Sequence, residues 1–364
     1  MTDLVFVSGA SGFIASHIVQ KLLERGLRVR GSVRSLAREA DLAHLRRLPG
    51  AAERLELVEA DLMTPHAFDQ HVQGARWVMH TASPFFMDVK DPQRDLVDPA
   101  LSGTRTMMEA CAQAPSVQRV VLTSSMAAIT DEPPEGRVLT EADWNDESTL
   151  ERNPYYLSKT LAERAAWTFV KEQKPRFDLV AINPFIVIGP SQTKSVGTSN
   201  KLFLDLLGGV YPGIMSLTWG FVDVREVAEA HVRAIEVPSA SGRYLTAGET
   251  VTMRAIVELL ARAGWAGSKL PRLGMDCAMG DHAARLASYM QPKGTGSYLR
   301  THLGRVPRYD ASKVQRELGI TFRPVEASIL DTMDDLARWG HVPARDVTPG
   351  ARPDGSAARA ASQG

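Results

Sequence analysis

Three residues in the first half of the chain have types and spacing suited to acid–base chemistry on a carbonyl group. Tyr155 and Lys159 lie four apart in an amphipathic stretch, so they share one face of a helix. A nearby ammonium group stabilises a phenolate and lowers the pKa of tyrosine from its usual value of about 10. Such a phenol can protonate a carbonyl oxygen, and the hydroxyl of Ser125 can bind the same oxygen. We therefore expect Tyr155, Lys159 and Ser125 to be catalytic.

The Tyr-x-x-x-Lys spacing occurs three times, so the spacing alone does not identify the site. The other copies are Tyr289/Lys293 and Tyr309/Lys313. A proline interrupts the second pair and argues against a regular helix there, and the third pair follows no strand pattern that ends in serine. The first pair begins an amphipathic helix and follows a buried strand pattern that ends in hydroxyl residues, Thr123-Ser124-Ser125.

A glycine-rich turn follows the first strand pattern, LVFV, and leads into a helix. Gly9 permits the tight turn, Gly12 lets the backbone approach a pyrophosphate, and the small Ala15 lets helix and strand pack closely. The free N–H groups and the positive end of the helix attract an anion. We expect this turn to bind a dinucleotide through the residues Gly9, Ser11, Gly12, Phe13 and Ile14.

The end of the second strand pattern favours NADP(H) over NAD(H). An NAD site usually has an acidic residue after this strand, but here the sequence reads Ser32-Val33-Arg34-Ser35 and reaches no acid before Glu39. Arg34 and Arg38, one helical turn apart, can bind a 2′-phosphate. The expected cofactor is therefore NADP(H).

The order of the strand and helix patterns predicts an α/β fold, a doubly wound parallel sheet with helices on both faces. Strand patterns at six places alternate with helical periodicity: 4–7, 27–33, 55–60, 76–82, 119–125 and 178–184. Near-continuous apolar runs such as WVMH are typical of strands buried on both faces.

The rhythm changes after Gly189 and predicts a division of the chain. We expect a nucleotide-binding domain at 1–188 with returns near 216–248, and a smaller, C-terminal substrate-binding portion at 189–215 and 249–344. A loop rich in Gly, Pro and Met is expected near 264–307. The tail 345–364, rich in Ala, Gly, Pro, Ser and Arg, has little to bury and is predicted to be disordered.

Composition excludes several classes of partner. Lys plus Arg equals Asp plus Glu at 42 each, which argues against nucleic acid as a partner. Cys111 and Cys277 are isolated, so we expect no metal site and a reducing, cytoplasmic compartment. The chain start lacks a signal-peptide pattern, and no apolar run approaches the roughly 18 residues of a membrane span. We expect a monomer or homodimer whose partner is a small carbonyl compound.

Several segments resemble the extended short-chain dehydrogenase/reductase superfamily, within it the dihydroflavonol reductase, cinnamoyl-CoA reductase and aldehyde/ketone reductase group. The matching segments span roughly residues 4–234 in the family's order: VSGASGFIASHIV, SVRS, EADL, HTASPF, RVVLTSSMAA, YYLSKTLAERAAW, INPFIVIGP and FVDVREVAEAHV. The resemblance implies a Rossmann fold, NADPH and a Ser-Tyr-Lys triad. It places the serine at Ser125, directly before Met126, and not at Ser124.

The resemblance also implies further cofactor contacts along the chain. These are Asp61 and Leu62 at the adenine, Thr81, Ala82 and Ser83 beside the ribose, Pro184 and Val187 on the nicotinamide side, and Thr123, Tyr155 and Lys159, with Lys159 on the nicotinamide ribose.

Departures from the family pattern bear on the substrate. Plant dihydroflavonol reductases have an asparagine a few residues after the triad serine, where Thr130 stands here, and NPYYLSK replaces the cinnamoyl-CoA reductase signature. The aldehyde/ketone reductase branch therefore fits better, with aryl or alkyl substrates against an apolar wall. Candidate wall residues are Phe85, Phe86, Met87, Met126, Phe185, Phe203, Tyr211, Met215 and Trp219, of which the motifs place Phe85, Met126 and Phe185.

Three other functions remain as alternatives. A sugar-nucleotide epimerase or dehydratase has the same fold but holds NAD tightly, and dehydratases place Asp-Glu directly after the triad hydroxyl, whereas Asp131-Glu132 lies six residues beyond Ser125. A hydroxysteroid dehydrogenase of the same superfamily is the second. The third is a cofactor-sensing regulator, a class that generally lacks the tyrosine–lysine pair.

Overall fold

A computed structural model describes residues 3–83, 89–265 and 269–345 of the 364-residue chain. The strands are β1 Leu4–Val7, β2 Arg28–Val33, β3 Leu55–Glu59, β4 Trp77–His80, β5 Arg119–Thr123, β6 Val138–Leu139, β7 Asp178–Pro184, β8 Ile186–Ile188, β9 Thr218–Asp223, β10 Gly242–Thr246, β11 Thr250–Thr252 and β12 Arg308–Tyr309. The central sheet has seven parallel strands in the order β3-β2-β1-β4-β5-β7-β10. The predicted doubly wound sheet is confirmed. Its order reverses between β1 and β4, and ligands of such sheets bind beyond the carboxyl ends of the strands at that point.

Helices cover both faces of this sheet. They are α1 Phe13–Glu24, α2 Glu39–Arg46, α3 Ala51–Arg54, α4 Asp98–Gln113, α5 Pro154–Gln173, α6 Lys201–Gly208, α7 Val224–Glu236, α8 Met253–Leu260, α9 Ala278–Ala287, α10 Lys293–His302, α11 Ser312–Leu318 and α12 Val325–Arg338. Short 3-10 turns lie at Met126–Ala128 and Ser288–Met290, and π-type turns at Gln93–Val97 and Ala261–Trp265. Within the described ranges, no helix combines the length and apolar character that crossing a bilayer requires.

The two faces of the sheet bury separate cores because side chains alternate along each strand. Val5 and Val7 of β1 pack with Ile18 of α1, and α1 lies beside α7. Phe6 points the other way and packs with Met107 of α4, which lies beside α5. The catalytic candidates on α5 are thereby fixed against one face of the sheet.

A third core lies in the part of the chain after β7. The small sheet β11-β9-β8 packs with α6, α8 and α12 around large side chains that include Phe203, Phe221, Ile256 and Ile329. In contrast, β10 leaves this region and joins the edge of the seven-stranded sheet beside β7.

The loop predicted near 264–307 is wrong, because α9, a 3-10 turn and α10 occupy most of its described residues. Pro292 directly precedes α10, where its missing N–H costs no helical hydrogen bond. Gly296 lies inside α10 in close contact with backbone, since a Cβ there would lie 2.3 Å from the oxygen of Ser288. The proline therefore marks the start of a helix, and the glycine permits close packing of the helix on neighbouring backbone. Most of the tail predicted to be disordered, 345–364, lies outside the described residues.

Candidate active site

The glycine turn lies between β1 and α1, at the point where the strand order reverses. Gly9 has a φ of 64°, a conformation that disfavours residues with a Cβ, and a Cβ there would also lie 3.2 Å from that of Ala82. The Gly12 N–H donates to the oxygen of Gly9 at 2.8 Å, and Gly12 immediately precedes α1. Ser11 and Gly12 are exposed. The turn therefore presents the amino end of α1 and its N–H groups to solvent, as anion binding requires.

The loop after β4 is tied to this turn by a buried hydroxyl. Ser8 Oγ accepts hydrogen bonds from the N–H groups of Thr81 and Ala82, both at 3.0 Å, and lies 3.0 Å from Nδ1 of His80. Thr81 in turn donates its side-chain hydroxyl to the Ser8 carbonyl. Burial, with a smaller effect of the Lys159 charge, lowers the pKa of His80 to about 4, so the ring is neutral at physiological pH.

The two arginines after β2 are exposed. Arg34 directly follows the strand and Arg38 directly precedes α2, and neither guanidinium group has an ion-pair partner within the described residues. The acid at the end of β3, Glu59, accepts the N–H of Leu36 at 2.9 Å. Both arginine side chains are thus available to an anion from outside the chain.

The Asp-Leu pair after β3 reaches α4. The Asp61 carboxylate accepts the N–H of Met63 at 2.8 Å and is exposed. Leu62 packs so closely on Gly103 of α4 that a Cβ on that glycine would lie 2.4 Å from Leu62 Cγ. The glycine therefore fixes how near α4 comes to this loop.

The three catalytic candidates come together at the carboxyl edge of the sheet. Tyr155 is the second residue of α5, Lys159 lies one turn later, and Ser125 follows β5. The Ser125 and Tyr155 hydroxyls form a hydrogen bond. The Lys159 Nζ lies 5.7 Å from the centre of the Tyr155 ring and donates to Ser83 Oγ at 2.8 Å.

Burial shifts both titrating groups of this cluster toward their neutral forms. It raises the pKa of Tyr155, and the hydrogen bond from Ser125 opposes this shift only in part. The expectation of a lowered tyrosine pKa is therefore wrong for this structure, because the loss of water outweighs the stabilising neighbours. Burial lowers the pKa of Lys159 from 10.5 to about 8, so the amine is mostly charged at neutral pH.

The remaining Tyr-x-x-x-Lys pairs do not share a helix face. Tyr289 lies in a 3-10 turn and Lys293 begins α10 after the intervening proline. Tyr309 belongs to β12, whereas Lys313 belongs to α11.

The hydroxyl residues beside Ser125 point elsewhere. Ser124 Oγ donates to the buried carboxylate of Glu163 at 2.5 Å. Thr123 Oγ1 lies 2.7 Å from Nε2 of His231 on α7. Of the three consecutive hydroxyl residues, Ser125 is the one that bonds to Tyr155, while the Thr123 hydroxyl, expected near the cofactor, is engaged by a histidine.

The segment after β7 packs near the glycine turn. Val187 of β8 shares a small core with the partly buried Phe13 and Ile14 at the start of α1. Pro184, the last residue of β7, is buried opposite Thr246 of β10. Pro184 and Val187, the candidates expected on the nicotinamide side, therefore lie at the same carboxyl edge of the sheet as the glycine turn.

The candidate substrate residues fall into different surroundings. Met126 begins the 3-10 turn after Ser125, and Phe185 lies with its ring 4.4 Å from that of Tyr309. Thr130 is buried and donates its hydroxyl to the oxygen of Glu132 at 3.0 Å. Three further candidates, Phe85, Phe86 and Met87, lie outside the described residues.

The other candidates belong to the third core. Phe203, Met215 and Trp219 are buried there, with Tyr211 partly buried against them. The Trp219 indole hydrogen-bonds to the hydroxyl of Tyr298 on α10, which packs against both this core and the core that holds Tyr155. Tyr298 thus links the third core to the region of the catalytic candidates.

The residues through which α10 docks on the start of α5 were not predicted from the sequence. Asn153, which precedes α5 with a φ of 50°, donates its N–H to Ser297 Oγ at 3.3 Å and its side-chain amide to Thr301 Oγ1 at 3.1 Å. The Tyr156 hydroxyl lies 3.3 Å from Nε2 of His302. No motif signals these contacts, since about 145 residues separate the partners.

A parallel sheet with a glycine turn at its reversal point and a Ser-Tyr-Lys cluster at its carboxyl edge defines a dinucleotide-binding oxidoreductase. Residues 5–248 match the NAD dependent epimerase/dehydratase family. The chain belongs to this family, and the resemblance to extended short-chain dehydrogenases/reductases is confirmed.

Known reductases match nearly the whole chain. A cinnamoyl-CoA reductase of Medicago truncatula, CAD2, is 39% identical over 340 residues, covering 92% of this chain and 95% of that protein. Tetraketide alpha-pyrone reductase 1 of Arabidopsis thaliana is 34% identical over 346 residues, covering 93% and 96%. Gre2 of Candida albicans, solved in complex with NADPH, is 31% identical with a TM-score of 0.77, covering 93% and 99%. Yeast methylglyoxal/isovaleraldehyde reductase with NADPH is 30% identical with a TM-score of 0.74 and the same coverage.

Proposed function

We propose that the protein is an NADPH-dependent carbonyl reductase that converts a ketone or aldehyde into an alcohol. The observation that supports this most directly is the hydrogen bond between the Ser125 and Tyr155 hydroxyls, with Lys159 one turn along the same helix. This cluster lies at the same edge of the sheet as the glycine turn, so a proton donor and an anion-binding turn serve one cleft.

The residues at the turn and after β2 fit NADPH. When bound, NADPH supplies the hydride that adds to the carbonyl carbon. Gly9 and Gly12 let the backbone lie close to a pyrophosphate at the amino end of α1. Arg34 and Arg38 suit a 2′-phosphate, because they are exposed and without ion-pair partners in the described part of the chain. The NADPH complexes of the Candida and yeast proteins support the same choice.

The side chains of the cluster manage the proton. Tyr155 donates its hydroxyl proton to the substrate oxygen as negative charge develops there, and Ser125 donates a hydrogen bond to the same oxygen. Lys159, mostly charged at neutral pH, stabilises the phenolate that remains. The raised pKa of Tyr155 keeps the phenol protonated until the substrate oxygen becomes the stronger base.

The apolar candidate residues support a class of substrate. Met126 directly follows Ser125, and Phe185 follows β7. Tyr211 and Trp219 belong to the third core, which Tyr298 of α10 joins to the region of Tyr155. A lining of this kind favours aryl or alkyl ketones and aldehydes over charged sugars.

Replacing Tyr155 with Phe tests the proposal. The variant should lose about 10²- to 10⁴-fold in kcat, because the proton donor is removed, and far less in its affinity for NADPH, since the glycine turn and the two arginines are intact. The substrates to screen are aryl ketones, diketones, β-keto esters, aldehydes, flavonoids and steroids, with NADPH oxidation as the readout. Tyr289→Phe is the matched control, since this tyrosine is 74% exposed and belongs to another Tyr-x-x-x-Lys pair. Full activity of Tyr155→Phe would refute the proposal.

Reduction of a CoA thioester is a second candidate, favoured by the 39% identity to a cinnamoyl-CoA reductase over nearly its whole length. That reaction consumes NADPH and releases an aldehyde and free CoA thiol, so a thiol assay with cinnamoyl-CoA distinguishes it from ketone reduction. An epimerase or dehydratase, in contrast, shows no net oxidation of NADPH.

A further inference from the structure

Helix α5 carries a third polar residue on the side of Tyr155 and Lys159. Glu163 lies one turn beyond Lys159 and is only 1% exposed. A carboxylate at such a depth is stable only when it is fully hydrogen-bonded and paired with a cation. Its surroundings therefore show what it holds in place.

Both oxygens of the Glu163 carboxylate are fully engaged. Oε2 accepts from Ser124 Oγ at 2.5 Å and from Asn183 Nδ2 at 2.7 Å. Oε1 accepts from Arg243 Nε at 2.7 Å and from Trp167 Nε1 at 3.1 Å. The arginine supplies the countercharge and is itself buried. Charge-assisted hydrogen bonds of this kind hold the carboxylate in a single position.

The same partners hold the backbone on both sides of Ser125. Asn183 Nδ2 also donates to the Ser125 carbonyl at 3.2 Å, and Arg243 Nη2 donates to the Ala128 carbonyl at 3.3 Å. Ser124, the residue before Ser125, is bound directly by the carboxylate. Glu163 and its partners thus fix the backbone both before and after Ser125.

We propose that Glu163 is a positioning residue for the reduction, which sets the distance between the hydroxyls of Ser125 and Tyr155. The inference rests on the proposed function. Ser125 follows β5 and Tyr155 belongs to α5, so their hydrogen bond depends on how the helix sits against the strand end. Glu163 joins these two elements directly, and a misplacement of 1 Å in an active site can cost about 10²-fold in rate.

The arrangement also separates two adjacent serines. The Ser124 hydroxyl is committed to Glu163 and the Ser125 hydroxyl to Tyr155. One serine therefore anchors the strand end to α5, and the other faces the reacting groups.

The test compares Glu163→Gln with a control at the opposite end of the same strands. Asp178 pairs with Arg119 at 2.6 Å across the amino ends of β5 and β7, and Asp178→Asn removes that charge. We expect Glu163→Gln to lower kcat by about 10- to 100-fold, with the NADPH dissociation constant within about twofold. Asp178→Asn should lower the Tm while kcat stays within about twofold. Assays are run at a temperature where circular dichroism shows each variant folded.

A double-mutant cycle separates positioning from loss of stability. In a Ser125→Ala background, Glu163→Gln should lower kcat by less than about twofold more, because the hydroxyl that it positions is absent. Equal fold losses in both backgrounds would overturn the proposal. If Glu163→Gln does not fold, Ser124→Ala removes one of its hydrogen bonds and should lower kcat about fivefold, again only when Ser125 is present.

The outcomes also distinguish this inference from the proposed function. If Tyr155→Phe reduces substrate as fast as the wild type, the proposed function fails. If Tyr155→Phe is inactive but folded Glu163→Gln or Ser124→Ala keeps the wild-type kcat, only the positioning by Glu163 is refuted.

Discussion

The two edges of the seven-stranded sheet are built from the same strands but carry different side chains. At the carboxyl edge, buried or half-buried polar groups form pairs that join neighbouring elements, namely Ser8 with His80, Thr123 with His231 and Ser124 with Glu163. At the amino edge, ion pairs have an exposed partner, namely Arg76 with Asp3 and Arg119 with Asp178. Strand geometry alone therefore does not decide which edge does chemistry.

The two kinds of pair differ in how strongly they restrict the positions of their side chains. A buried polar group that loses its partner costs about 1–3 kcal/mol, so the carboxyl edge has one favourable arrangement. Where both partners are exposed, as in Arg76 and Asp3, water screens the ion pair, which contributes about 0–1 kcal/mol. We expect changes at the carboxyl edge to alter binding and turnover, and changes at the amino edge to alter stability alone.

The largest effect is expected from Lys159→Met. Removing the ammonium should lower kcat by about 10²-fold or more, because the phenolate loses its stabilising charge. The variant should nevertheless be more stable at pH 7, since burial lowers the pKa of Lys159 from 10.5 to about 8, a penalty on the order of 3 kcal/mol for the charged form. Urea unfolding and steady-state kinetics measure both effects.

The pH dependence of that stability gain has a definite sign. Between about pH 8 and 10.5 the unfolded wild type still binds a proton on Lys159 that the folded protein has released, so its stability rises with pH. The advantage of Lys159→Met should therefore shrink over this range. Lys171→Met, at the exposed end of the same helix, is the control. A variant less stable than the wild type at pH 7 would contradict the burial argument.

Arg34→Ala should have the next largest effect, on cofactor choice. Loss of a charge-assisted contact to the 2′-phosphate should weaken NADPH by about 10- to 100-fold and leave NADH nearly unchanged. Arg28 lies at the amino end of the same strand and is also exposed, so Arg28→Ala should affect neither cofactor. Fluorescence titration gives both constants. Equal losses of affinity for NADPH and NADH would contradict the proposed contact between Arg34 and the 2′-phosphate.

The carboxyl edge was predictable where its residues are close in sequence. Gly9 and Gly12 define one turn, and Tyr155 and Lys159 share a helix face through the helical repeat. The alternating strand and helix patterns predicted the parallel sheet, and the match to the NAD dependent epimerase/dehydratase family over residues 5–248 covers the same segments. Local spacing carries this information because each motif lies within a single element.

Other parts of the site depend on residues far apart in sequence. From the sequence, Glu163 resembles a solvent-exposed charge on a helix, because its ion-pair partner Arg243 comes 80 residues later. The docking of α10 was not predicted, because Gly294 and Gly296 indicated a loop, although both are buried in a helix. In both cases tertiary contacts, absent from any short window, decide burial.

Acid should destabilise the carboxyl edge through its buried histidines. Burial lowers the pKa values of His80 and His231 to about 4. Below about pH 6.5 the unfolded chain binds protons that the folded protein refuses, so stability falls as pH falls toward 4. We expect about 1–2 kcal/mol per histidine between pH 6.5 and 5. Urea midpoints at several pH values measure this loss.

His80→Asn isolates the contribution of one histidine. Its side-chain oxygen can still accept from Ser8, but it no longer titrates, so the acid-dependent loss should be smaller than in the wild type by one histidine's share. Ser8→Ala keeps the titrating ring and should retain the full loss. An unchanged pH dependence in His80→Asn would show that His80 contributes nothing to acid sensitivity.

The smallest effect is expected from Asp3→Asn at the amino edge. Asp3 and Arg76 pair at 2.7 Å just before β1 and β4, with side chains 40% and 44% exposed, so the loss of stability should stay within about 1 kcal/mol and shrink further in salt. The same two strands end in the Ser8–His80 pair, where Ser8→Ala should weaken NADPH because the loop of Thr81 and Ala82 loses its anchor. If Asp3→Asn weakened NADPH as much as Ser8→Ala does, a four-residue strand would be transmitting small shifts from one edge to the other, and the two edges could no longer be treated as separate.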